Sequence, residues 1–264
     1  MAAMEADAAV EDAPTPSAGA PGSPGGGAAR PRRAAYRRLS VEERRGELIR
    51  AALELFSRHA PEEVSLDDVA VAADASRPLV YRYFPGGKQQ LYEEALGSAA
   101  EGLAARFVEP RDGPRTRRLG HVLERYFAFV DEHAAGYAAL LRGGSVAETE
   151  RTDAIVDGVR RAAHQRIIEH LTDEPAGPRL RVLVRSWVSV VETAALSWLD
   201  EGREIPVTEQ VELLVDQFVA MFAAAAVHDP QCARLLRRVV ADEGFSGPGA
   251  RLAERLGELL AAED

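Results

Sequence analysis

The sequence has almost none of the residues that build cross-linked or metal-held proteins: its one cysteine is Cys232. A single thiol leaves no intramolecular disulfide and no cysteine-rich zinc site. Lysine is equally scarce, since all of the 32 basic residues except Lys88 are arginine. An arginine- and alanine-rich composition of this kind reads as coding bias as readily as it reads as function. His164 and His170 fall on different faces of a helix and have no neighbouring carboxylate or thiol to complete a metal site. Lys88 follows Gly86-Gly87 but no Ser or Thr follows it, so a phosphate-cradling loop is not expected. No nucleophile with its base and orienting group can be nominated. The expectation is a chain that is not an enzyme and needs neither metal nor cofactor.

Other absences bear on location and fold class. No apolar run reaches the roughly 18 residues of a membrane span, and the N-terminus opens on Glu5 and Asp7 without the apolar core of a secretory peptide. No stretch alternates with the period of two that marks a strand. A cytoplasmic all-α protein without a membrane partner is the reading that remains.

What is present is unevenly distributed. The net charge of -10 conceals a segment, residues 29–92, in which bases outnumber acids, and local potential is what a polyanion feels within a Debye length of ~8–10 Å. Residues 1–39 are rich in Ala, Gly and Pro and read as a disordered leader. It ends in a basic arm, Arg30-Pro31-Arg32-Arg33 and Arg37-Arg38, suited either to phosphates or to plain solvation. Three helical segments follow: residues 40–108, 109–228 and a C-terminal extension, 229–264.

The segment after the leader is punctuated clearly. Ser40 and Glu43 form a capping box, and Leu48, Ile49, Ala52, Leu55 and Phe56 then recur at helical spacing. Ser65 opens a second, short helix; a tight turn at Asp74-Ala75 follows; Ser76 caps a third helix with Pro78 in its first turn. Two short helices about a tight turn, braced by a preceding helix, are a helix-turn-helix. Val69, Ala73 and Val80 form its apolar edge, and Ser76, Arg77, Pro78, Leu79, Tyr81 and Arg82 point outward. Arginine at position 77 has the fork that matches the two acceptors of guanine, although a solvated arginine in a capping turn would look the same.

The run Ser65-Leu66-Asp67-Asp68-Val69-Ala70, then Ala73-Asp74-Ala75-Ser76, Arg77-Pro78-Leu79-Val80-Tyr81-Arg82-Tyr83-Phe84 and Lys88-Gln89-Gln90-Leu91 closely resembles the DNA-binding region of TetR-type (tetracycline-repressor-like) regulators. The resemblance covers roughly residues 43–95. It implies an N-terminal three-helix helix-turn-helix head on a larger helical ligand-binding and dimerisation domain. It also implies double-stranded operator DNA as a partner, contacted by Ser65, Ser76, Arg77, Pro78, Leu79, Tyr81, Arg82, Tyr83 and Lys88. Tyr83 and Lys88 would grip phosphates, although Tyr81 and Tyr83 could instead be core aromatics; for Tyr83 the phosphate contact is the preferred reading. Two departures are visible. Asp74 stands where the family usually has Gly, and Phe84 and Lys88 are four apart instead of three, an offset that the second glycine of Gly86-Gly87 can absorb.

The same resemblance implies a repressor, a homodimer formed through helices near 178–228, and a cavity for a small-molecule effector whose binding releases the operator. Candidate cavity residues are Tyr126, Phe129, His133, Tyr137, Trp187, Glu192 and Trp198. Glu192 lies among Val188, Val190, Val191 and Ala195, so if buried it needs an arginine, a dimer mate or a cationic ligand. The competing reading is an all-helical ligand-binding protein or enzyme that uses the body cavity without specific DNA binding.

Overall fold

In the computed structural model the described residues are 40–142, 149–243 and 247–261. The leader and basic arm expected over residues 1–39 lie outside them. All regular structure among the described residues is helical.

The first four helices are α1 (Val41–Arg58), α2 (Leu66–Ala72), α3 (Arg77–Tyr83) and α4 (Gly87–Arg106), with a 3-10 turn at Pro61–Glu63. The Ser40 hydroxyl accepts the Glu43 N–H at 3.1 Å and the Ser40 N–H donates to the Glu43 carboxylate at 2.8 Å, which starts α1. Ser65 and Asp68 do the same for α2. Leu48, Ala52, Phe56, Val69, Val80, Phe84, Leu91 and Tyr92 fill the core that these helices share. Phe56 and Tyr92 meet edge to face at 5.0 Å.

The turn between α2 and α3 explains how this chain does without a glycine. Asp74 adopts φ +46°. The Asp74 N–H donates to Val71 O at 3.2 Å and the Ala75 N–H to Ala70 O at 2.8 Å, the paired bonds of a Schellman motif. Aspartate tolerates the left-handed region better than most residues, so the turn is kept. Gly87 takes φ +70° and its N–H donates to Phe84 O, so the additional residue before Lys88 is absorbed where the chain enters α4.

The body comprises α5 (Arg115–Glu132), α6 (Ala134–Arg142), α7 (Glu150–Leu171), α8 (Pro178–Asp200), α9 (Val207–His228), α10 (Pro230–Glu243) and α11 (Pro248–Ala261). Its core is built on Phe127, Val130, Leu180, Val184, Trp187, Leu214, Phe218 and Phe222. Helix α10 contributes Cys232, Leu235 and Val239 to that same core.

By length and mean hydropathy both α8 and α9 could cross a membrane. Polar residues, singly and in groups of two or three, break up the apolar runs in both, so neither has an unbroken run of spanning length. Here they pack on each other, with the Trp187 indole N–H donating to Leu214 O at 3.1 Å.

Head and body meet at one unusually close crossing. Gly136, on α6, lies so near the end of α1 that a Cβ there would stand 2.7 Å from Phe56 O. Only glycine permits this approach. Gly136→Ala is therefore expected to push α6 from α1 and lower stability by about 1–3 kcal/mol, read as a drop in the denaturation midpoint. Asp74→Gly should do the opposite, raising stability by up to ~1 kcal/mol because it relieves the left-handed backbone; an unchanged or lower thermal midpoint would contradict that account of the turn.

Candidate nucleic-acid interface and the cavity behind it

Helix α3 is held by one edge and free along the other. Val80 and Phe84 are fully buried. Ser76, Arg77, Pro78, Tyr81 and Arg82 are exposed, while Leu79 and Tyr83 are half-buried. Tyr83 packs partly on the head core, so it serves as a core aromatic and still reaches the surface. Ser76 occupies the cap position of α3, but its hydroxyl makes no capping hydrogen bond.

Arg77 is not loose. Its guanidinium pairs with Asp67 of α2 at 3.0 Å and lies 5.7 Å from the centre of the Tyr81 ring. Such an exposed pair contributes little to stability, but it restrains the orientation of the fork. The Lys88 ammonium reaches back to Glu62 O at 3.1 Å, and the Ser65 hydroxyl donates to Asp68 at 2.6 Å. Ser76, Arg77, Pro78, Tyr81 and Arg82 thus share the free edge of α3, whereas Ser65 and Lys88 are engaged in the head's own bonds.

Behind the head is a cavity of about 210 Å³. Its lining is overwhelmingly apolar, and it is walled by both parts of the protein: α1 contributes Leu53, Phe56 and Ser57, α4 contributes a face from Tyr92 to Leu103, and most of the remaining lining comes from α5 to α10. Six of the seven expected residues line it, namely Tyr126, Phe129, His133, Tyr137, Trp187 and Glu192. Trp198 does not. Its ring packs edge-on against Phe127 at 5.4 Å and its indole N–H donates to Ile205 O at 2.8 Å, which turns it away from the cavity.

The polar groups in the wall are paired in most places. The Tyr126 and Tyr137 hydroxyls bond to each other, and burial raises both phenol pKa values. His133 stacks on Phe129 at 4.2 Å, its Nδ1 3.0 Å from Phe129 O. The partner that Glu192 requires is Arg160 on α7, whose Nε lies 2.9 and 3.1 Å from the two carboxylate oxygens. At the opposite end the wall contains Arg118 and His170, which sequence reasoning missed. A signal for them existed. Arg118 continues the stripe of Val122, Tyr126, Phe129 and His133 along α5, as His170 continues that of Val156, Arg160, Ala163 and Ile167 along α7.

Comparison with known proteins agrees with this architecture. Residues 48–95 match the family model described as bacterial regulatory proteins, tetR family, and residues 115–221 match that of a tetracyclin repressor-like C-terminal domain. A tetR-family transcriptional regulator from Streptomyces coelicolor, known from its crystal structure, is 51% identical, with a TM-score of 0.81 over 85% of this chain and 100% of that one. The HTH-type transcriptional activator FasR of Mycolicibacterium smegmatis is 26% identical over 66% of this chain and 81% of its own. The regulator FadR from Bacillus subtilis, solved in complex with stearoyl-CoA, shares the fold at 13% identity and TM-score 0.55, over 66% of this chain and 96% of that one. With a free-edged reading helix at one end, a helical body at the other, and a half-identical relative spanning most of both, the chain belongs to the TetR family of DNA-binding transcriptional regulators.

Proposed function

We propose that the chain acts as a homodimer that binds a palindromic operator through two copies of α3 and releases it when an apolar small molecule fills the cavity. The observation that carries this reading is the shared wall. Leu53, Phe56 and Tyr92 belong to the helices that hold α3 and also line the cavity. A ligand that needs more room than the DNA-bound arrangement offers moves the heads, because close-packed walls shift as units and do not deform continuously. A coupling of ~1–3 kcal/mol between the two sites suffices for a 5–150-fold change in affinity.

Dimerisation follows from what α8 and α9 leave uncovered. Val182, Ser186, Ser189, Thr193 and Ser197 lie along an exposed, uncharged stripe of α8. Leu213, Ala220, Ala224 and Val227 form a matching exposed stripe on α9. Small side chains let helices approach closely, and four such helices form a bundle about a two-fold axis. One head meets a half-site, and its mate meets the other about one duplex turn away. We assign residues 40–108 to the DNA-binding unit and 109–228 to the effector and dimer unit. The head gives occupancy of DNA, not the sign of regulation: an operator overlapping a promoter makes the protein a repressor, whereas an upstream one suits the activator name that FasR carries.

Within the interface, Arg77 reads a base and Tyr83, Arg82 and Lys88 hold phosphates, with Lys88 releasing Glu62 O to do so. Arg77→Ala should weaken operator binding by about 1–3 kcal/mol and flatten base preference at one position. Lys88→Ala should instead weaken all duplexes alike and reduce the salt slope by about one. Fluorescence anisotropy over a salt series with the chain's own upstream DNA measures both. If the wild-type protein does not discriminate that DNA from random duplex at any salt concentration, the reading fails.

A further inference from the structure

Arg118 lies on the second turn of α5 with only 7% of its surface exposed, and it lines the cavity. Among the described residues its guanidinium forms no hydrogen bond or ion pair, and its Nε is buried without a partner. Its neighbours are not in this state. Arg115 pairs with Asp242, Arg111 with Asp173 at 3.5 Å and Arg166 with Glu169 at 3.2 Å. Glu109, the carboxylate at this end of the cavity, is taken by Arg125 at 2.7 Å and His121 at 3.1 Å. His170 Nδ1 is also buried and unpartnered. One end of a largely apolar chamber therefore has a guanidinium and an imidazole, both lacking an acceptor, next to the positive end of the α5 dipole.

A buried charge persists only when something compensates it; Glu109 is shared with Arg125 and His121, and Asp112, although its charge reaches Arg118, is exposed and forms no ion pair with it. We infer that the cavity binds an amphiphilic acid, its carboxylate bound by Arg118 and His170 and its apolar chain lying along Leu119, Val122, Ile167 and Leu171. A carboxylate is favoured because its two oxygens match the planar fork of arginine. Burial, and next the Arg118 charge, holds the His170 pKa below the usual histidine value, so near neutral pH the ring is a neutral donor. The opposite end, where Glu192 and Arg160 already neutralise each other, offers an anion no comparable vacancy.

This inference rests on the cavity being the effector site, and its test separates the two claims. The probes are cis-parinaric acid and its methyl ester, titrated by fluorescence into the full-length wild-type chain and into Arg118→Met and Arg118→Lys. The expected result is at least a tenfold preference of wild type for the acid. That preference should disappear in Arg118→Met with ester binding intact, and survive in part in Arg118→Lys. Equal binding of acid and ester by wild type, or an undiminished preference in Arg118→Met, overturns the anion site and leaves the cavity reading standing. If neither probe binds wild type, both claims fall. The two wild-type titrations decide the matter even if Arg118→Met does not fold, and a thermal midpoint at or above wild type shows that it does.

Discussion

The whole structure depends on the packing of α1 and α4 against the body, because the residues that make this contact serve two cores at once. Phe56 and Tyr92 close the head core around α3, and on their other side they face the cavity. Gly136 brings α6 to within contact of the Phe56 carbonyl, so the end of α1 has little freedom to move independently of the body. Anything that changes the cavity's shape acts directly on the helices that aim α3. No chain of intermediate residues is needed to link the two sites.

The charge distribution completes this arrangement. The free edge of α3 displays Arg77 and Arg82, yet the protein as a whole is acidic, so on the proposed reading attraction to DNA comes from that edge against an overall repulsion. The Asp67–Arg77 pair adds a second function. On the proposed reading a base edge would compete with Asp67 for Arg77, and an exposed ion pair, which contributes little, yields readily to a bidentate base contact. Lys88, parked on a single carbonyl, is in a similar position. The DNA-free head is thus held in shape by weak bonds that binding can exchange.

The head was the most legible part of the sequence because its signals are local. Ser40 with Glu43, Ser65 with Asp68, Pro78 in a first turn and Asp74 between two short helices each act within a few residues of their position. The cavity was less legible because its wall is assembled from helices far apart in the chain. The aromatic stripe of α5 pointed to Tyr126, Phe129 and His133, but an apolar pattern does not say which side of a buried helix faces space, so Trp198 was assigned wrongly. Arg118 and His170 were overlooked for a related reason: a charged residue on an apolar stripe reads as an interruption until its burial is seen. Nothing near Leu53 or Gly136 announces a contact between α1 and α6, which only the tertiary fold creates.

The central claim, that cavity occupancy repositions paired heads, is tested most directly by a distance between protomers. Val71 is 82% exposed on α2, and a spin label at Val71→Cys reports the separation of the two heads by pulsed electron resonance. The native thiol of Cys232 is fully buried, with its pKa pushed up to about 11, so it stays unlabelled. The account predicts one narrow distance with operator DNA and a distribution displaced by several Å when an apolar probe saturates the cavity, together with weaker operator binding. Saturation of the cavity with no change in either the distance or the operator affinity, or the absence of any inter-protomer distance, would contradict it.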